Sequence, residues 1–158
     1  MRANHVFRPA FLDAAIAAGL DPVKVNAVVM RGVNDDEVVD LAAFARDRGV
    51  GLRFIEFMDV GSTNGWKMDE VLPASDLVRQ LDAVFPLEPV DPNYVGEVAQ
   101  RYRYRDGQGE VGFITSVTQP FCGTCTRARL SAEGSIYTCL FAAEAGADLR
   151  GASRAGAS

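Results

Sequence analysis

PVKVNAVVMRGVNDDEVVDLAAFARDRGVGLRFIEFMDVG, residues 22–61, reads as strand, helix, strand, and that order sets the fold class. Residues 23–30 alternate. Val23, Val25, Ala27 and Val29 fall on one face, and Lys24, Asn26, Val28 and Met30 on the other. Residues 35–48 change to helical spacing, with Val38, Leu41, Phe44 and Ala45 as the apolar stripe. Asn34 is placed to cap that helix, Glu37 follows as in a capping box, and Gly49 ends it. Residues 52–58 return to a strand, followed by a loop of Gly, Ser and Asn at 59–65. Strands joined through a helix run parallel. A loop at the C-terminal end of such a strand is where α/β barrels keep their sites.

Working outward, residues 8–18 form a helix with Pro9 in its first turn, Leu12, Ala15 and Ile16 as its stripe, and Gly19 as its stop. Residues 75–84 form another, with Leu77, Val78, Leu81 and Val84 inward. Pro86, Pro89 and Pro92 then break the pattern and mark a boundary. Two parallel strands cannot close a sheet, so residues 1–90 read as the last units of a larger, TIM-type barrel. Beyond Pro92 the period is two. Residues 99–104 and 111–117 are strands around Asp106-Gly107-Gln108-Gly109. The expected architecture is α/β: an incomplete barrel at 1–90, then a smaller, mainly antiparallel β region at 91–158. The tail from 142 is poor in bulky apolar residues and is expected to fray.

At 158 residues with a net charge of −5, the chain is of single-domain size and lacks the basic footprint of a nucleic-acid binder. An anionic substrate would need local positive charge against the overall sign. No run reaches the roughly 18 apolar residues that span a bilayer, and residues 1–11 do not resemble a secretory signal. These features point to the cytoplasm. There are three cysteines, an odd number, and all are close together. In a reducing compartment that pattern indicates metal or redox chemistry, not a disulfide framework.

The cysteines lie in FCGTCTRARLSAEGSIYTCLF, residues 121–141, spaced C-x2-C-x13-C, with Arg127 and Arg129 between the second and third. Residues 126–131 and 135–140 both alternate, and Ala132-Glu133-Gly134 suits a hairpin loop with Gly134 at positive φ. Pairing Ser131 with Ser135 sets Arg129 opposite Tyr137 and Arg127 opposite Cys139, with Cys125 diagonal to Cys139. All five would share one face, with Cys122 arriving from the preceding turn. Structural zinc wants four protein ligands, and the only histidine, His5, is distant and reads as structural or incidental. Iron–sulfur clusters are also held by four thiolates as a rule, so three would leave an iron open to something else. The arginine forks suit phosphate or carboxylate. A solvated strand face is the plainer reading of those arginines taken alone.

Three stretches together carry a family resemblance: residues 121–141, PVKVNAVVMRGVNDDEV at 22–38 and LRFIEFMDVG at 52–61. They resemble the radical-SAM GTP 3′,8-cyclases of molybdenum cofactor biosynthesis, over about residues 10–150. The resemblance implies a lyase that turns GTP into 3′,8-cyclo-7,8-dihydro-GTP with two 4Fe–4S clusters. One cluster cleaves S-adenosylmethionine to a 5′-deoxyadenosyl radical, and the other binds guanine through its open iron. Carried over by position, Cys122, Cys125 and Cys139 would ligate the second cluster, Lys24, Arg127, Ala128 and Arg129 would contact GTP, and Met58 would contact S-adenosylmethionine. The residues agree in part. Lys24 opposes the apolar face of its strand and would point into a barrel, where an ammonium needs an anion. Arg53 and Glu56 lie on opposite faces of one strand, so one faces the lumen, and Arg53 is a secondary candidate. A homodimer, and hand-off to cyclic pyranopterin monophosphate synthase, would follow for the complete protein; neither nucleic acid nor membrane would be a partner.

The family's C-x3-C-x2-C motif for the first cluster does not occur in this sequence, nor does its Gly-Gly ending. The expectation is a C-terminal portion, shortened at both ends, that cannot cleave S-adenosylmethionine alone. Two other readings stay open: a non-catalytic iron–sulfur and nucleotide-binding module, and the auxiliary-cluster region of another radical-SAM enzyme. A zinc module is a third.

Overall fold

The computed structural model describes residues 9–59, 65–142, 144 and 146–151. His5, loop residues 60–64 and the tail at 152–158 lie outside the described residues. In chain order the elements are α1 (Pro9–Ala17), β1 (Lys24–Val29), α2 (Val38–Asp47), β2 (Gly51–Glu56), α3 (Ala74–Asp82), β3 (Leu87–Val90), β4 (Ala99–Tyr104), β5 (Glu110–Ile114), β6 (Arg129–Leu130), β7 (Ser135–Tyr137) and β8 (Ala147–Asp148). Single turns of 3-10 helix occur at Met68–Glu70 and Cys122–Thr124.

The architecture is mixed α/β. A five-stranded sheet has the order β1-β2-β5-β4-β3, and a separate three-stranded sheet the order β6-β7-β8. β1 and β2 are parallel, as the intervening helix requires. The tight turn after β4 folds β5 back antiparallel to it, and β5 then lies parallel to β2. Strands from both sides of residue 90 therefore share one sheet. Pro89, expected to break structure, sits in β3 opposite Tyr102. β3 is an edge strand, where a missing N–H is tolerated.

The alternation of β1 holds. Val25 and Ala27 are half-buried and Val29 is buried, while Lys24, Asn26 and Val28 are exposed. On the buried face Leu52, Phe54, Val111 and Phe113 pack with Val38, Ala42 and Ala45 of α2 and Leu77 and Leu81 of α3. Phe54 and Phe113 stack with ring centroids 6.0 Å apart. α1 adds Leu12, but Ile16 is 38% exposed, so its stripe is narrower than its sequence suggests. Val84 lies past the end of α3 and is 53% exposed, not inward.

α2 starts later than its capping signal. Residues 31–37 form turns, and Glu37 is the N-cap without a side-chain cap bond. Asn34 instead closes the end of β1. Its Oδ1 accepts from Met30 N at 2.9 Å, and its Nδ2 donates to Val28 O at 2.9 Å. An asparagine side chain serves a turn as readily as a cap, and here the strand end had the free groups. Gly49 does end α2, at φ +64°. The bonds from Gly49 N to Arg46 O and from Val50 N to Ala45 O complete a Schellman motif.

Among the described residues none after Thr115 is buried. The tail expected to fray supplies β8, whose residues 147–148 pair with β7. No described helix is long and apolar enough to cross a membrane.

Candidate functional site

The face of the large sheet opposite the helices is built in rows. Asn26, Arg53, Gly112 and Arg101 form one row, and Val28, Ile55, Ile114 and Ala99 the next. Gly112 leaves the first row open. A Cβ there would lie 3.2 Å from Arg53 Cγ and 3.3 Å from Ala99 Cβ. Arg53 uses the space to cross β5 and bring Nη2 to 3.8 Å from Glu97 Oε1, an oxygen with no hydrogen-bond partner among the described residues.

The cysteine segment lies over the end of this face. Between them is an open cleft of about 670 Å³ lined by Asn26, Arg53, Ile55, Met58 and Ile114 from the sheet side. From the other side come Phe121, Cys122, Cys125, Arg127, Arg129, Cys139 and Phe141. Among the described residues three arginines and no Asp or Glu line it, on a chain whose net charge is −5. Such a cleft concentrates anions locally.

The cysteine hairpin keeps its expected register at the turn. Arg129 faces Tyr137, Ser131 N donates to Ser135 O at 2.9 Å, and Gly134 has φ +84°. The ladder stops there. The pairing of Arg127 with Cys139 does not form, because β6 begins only at Arg129. Residues 122–124 coil into a 3-10 turn, and neither flank has a buried face to hold a longer ladder. The shared face is therefore lost as a strand feature but recovered by the cleft. Cys125, Arg127, Arg129 and Cys139 all line it, and Tyr137 does not.

All three cysteines are free and exposed. Arg127 Nη2 donates to Cys125 Sγ at 3.5 Å while its guanidinium lies 4.6 Å from the Phe121 ring centroid. The Arg127 backbone N–H, and after it the guanidinium, hold the Cys125 thiol below the ordinary thiol range. Cys139 Sγ accepts from Phe141 N at 3.4 Å. Among the described residues no three or more His, Cys, Asp or Glu stand close enough to grip a single metal ion. The soft donors face one cleft without converging on one point.

The remaining sequence candidates divide. Met58 lines the cleft although it has the parity of buried Phe54 and Glu56, because β2 ends at Glu56 and strand alternation no longer governs residue 58. Lys24 is exposed on the same sheet face. It lines a smaller adjoining cavity with Arg53, Glu97 and Arg101. Ala128 is exposed and is not among the residues lining the cleft. Of the pair on β2, Arg53 faces the cleft and Glu56 the helices, where it is 1% exposed. Sequence reasoning missed Glu97, Gly112 and Phe121. The alternation of β4 and β5 could have placed Gly112 in the row of Arg53 only with their pairing to β2 in hand.

Residues 50–158 match the family model described as Molybdenum Cofactor Synthesis C. The chain is similar to a protein of Acidothermus cellulolyticus named GTP 3′,8-cyclase, with 57% identity over 139 residues, 88% of this chain and 38% of that one. A protein of the same name from Xanthomonas campestris pv. campestris is 54% identical over 139 residues, 88% of this chain and 41% of that one. One from Staphylococcus saprophyticus is 47% identical over 146 residues, 92% of this chain and 43% of that one. The chain thus spans about two fifths of the length of the curated relatives it matches.

Proposed function

The chain belongs to the Molybdenum Cofactor Synthesis C family, and on that footing we propose that it is the C-terminal part of a GTP 3′,8-cyclase. That enzyme is a lyase that converts GTP to 3′,8-cyclo-7,8-dihydro-GTP at the first step of molybdenum cofactor biosynthesis. One observation carries the reading: among the described residues three free thiols share a cleft with three arginines and no carboxylate.

Cys122, Cys125 and Cys139 would hold a 4Fe–4S cluster. Their chemistry fits, since thiolates are the ligands of iron–sulfur clusters and none is consumed in a disulfide. Thiols gathered along one cleft, with no group placed to hold a single ion among the described residues, would suit a polynuclear cluster. Bound there, the cluster would supply Lewis-acidic iron for recognition of a guanine base. Arg127 and Arg129 orient the nucleotide with their guanidinium forks, and Ala128 contributes backbone between them. Lys24 and Arg53, one row apart on the sheet, receive the triphosphate. Met58 meets S-adenosylmethionine, which comes with its own cluster from the rest of the longer protein. In this reading β1 and β2 belong to the closing arc of a TIM-type barrel, β3, β4 and β5 extend their sheet, and the segment from residue 116 onward is the cluster region. The enzyme works in the cytoplasm as a homodimer, and its product passes to cyclic pyranopterin monophosphate synthase.

Anaerobic reconstitution of the chain with iron and sulfide, followed by electron paramagnetic resonance, tests this. The expected result is a cluster signal that changes on adding GTP and is lost in Cys122→Ser. A signal indifferent to GTP would overturn the open-iron role, and zinc in place of iron would favour a structural zinc module.

A further inference from the structure

Glu56 ends β2 on the helix side of the sheet, away from the cleft, and is 1% exposed. Among the described residues no cation pairs with it. A buried carboxylate is tolerated only when its oxygens are satisfied, and four donors do so. Ala74 N donates to Oε1 at 2.9 Å, and the Thr118 hydroxyl donates to the same oxygen. Val117 N and Thr118 N donate to Oε2 at 2.9 and 2.8 Å. Ala74 is the first residue of α3, so the carboxylate also faces the positive end of that helix.

These bonds join distant parts of the chain. Thr118 is 62 residues from Glu56, and four residues later the chain reaches Cys122. No described residue from 116 to 151 is buried, so packing does not hold the segment in place. Gln100 Nε2 to Gln119 Oε1, at 2.8 Å on the surface, is a further link near this root. The carboxylate at the end of β2 thus holds the start of the cysteine segment by two backbone N–H groups and a hydroxyl.

We propose that Glu56 is a positioning residue for the cysteine site: its carboxylate fixes where residues 117–118 leave the core, and through them where Cys122 and Cys125 stand over the sheet. Its role as a support for the cluster rests on the reading given above. Glu56 touches neither cluster nor nucleotide; it acts through the backbone it holds.

Glu56→Gln keeps the shape but turns one acceptor into an amide NH2 that cannot accept from the facing N–H groups. The expected variant melts cooperatively with unchanged far-ultraviolet circular dichroism. Its amides at Val117, Thr118 and Cys125 exchange faster, and after reconstitution it yields iron to a chelator about tenfold faster, the lower end of what supporting residues do for metal affinity. Thr118→Ala removes one bond from an exposed residue and is expected to move both readouts the same way by less. Faster exchange with iron held as in the unsubstituted chain would overturn the proposal, as would unchanged exchange in both variants. Should Glu56→Gln fail to fold, Thr118→Ala decides by the same two readouts. Should the unsubstituted chain take up no cluster, the functional reading falls. Exchange at Cys125 in the metal-free chain then judges the clamp, and no change there overturns it.

Discussion

Arg53 reaches across the sheet because residue 112 has no side chain. Gly112 is needed for space, not for backbone freedom, since its contacts and not its φ are exceptional. In Gly112→Ala the new methyl would press on Arg53 Cγ and Ala99 Cβ. Overpacking of this kind costs on the order of 1–3 kcal/mol, and the softer neighbour, the arginine stem, gives way first. The expected outcome is a folded protein with a lowered melting temperature and, on the reading proposed above, weaker GTP binding, both read by calorimetry. Unchanged binding would separate Arg53 from the nucleotide. The same scale explains Arg127, which touches both Cys125 and Phe121. Its backbone N–H first, and its guanidinium second, lower the proton affinity of the Cys125 thiol, while the guanidinium also lies over the Phe121 ring.

Helix α2 is set by its ends as much as by its stripe. Its N-terminus lacks a side-chain cap, and Asn34 serves the preceding strand. Its C-terminus is closed by Gly49 at φ +64°, which routes the chain into β2. Gly49→Ala is expected to destabilise by about 1–2 kcal/mol, the cost of a Cβ in the left-handed region. Equilibrium urea unfolding would show it as a lower midpoint with an unchanged slope. Apart from its chain neighbours, no described atom lies within 4 Å of the Cβ position, so the loss would be conformational and not a clash with packed groups. A midpoint equal to that of the unsubstituted chain would refute this account of the cap. The short hairpin β6–β7 follows the opposite logic. Its turn is well specified by Gly134, but its strands have no buried face, so the ladder ends after a few residues.

At the scale of the whole molecule, the core and the cysteines are segregated. Among the described residues those that are buried run from Leu12 to Thr115, while the three cysteines lie beyond that, at 122, 125 and 139. A segment without a core gains order from what it binds, because metal affinity and local folding are then one free energy. Amide exchange should therefore split in two in the metal-free chain: slow in β1, β2, β4 and β5, fast in β6–β8. Cluster loading should slow the second group and leave the first nearly unchanged. Equal protection in both sheets before loading would contradict the segregation.

The sequence by itself determined what depends on neighbours along the chain. The alternation at 23–29 placed Lys24 and Asn26 on the open face, Gly49 ended α2, and Gly134 set the hairpin register, because period and backbone conformation are local properties. The closeness of Cys122, Cys125, Arg127, Arg129 and Cys139 along the chain was legible in the same way, and they line one cleft. The tertiary structure alone decided what crosses it. β5 inserts beside β2, which creates the row that Arg53 spans. The strand pairing expected to gather Cys125 and Cys139 does not form, and a cleft between segments gathers them instead. Glu56 looked like one of two alternatives for a lumen, yet its four partners lie 18 to 62 residues away. Pairing at that distance follows from which surfaces are buried against each other, and no local pattern encodes it.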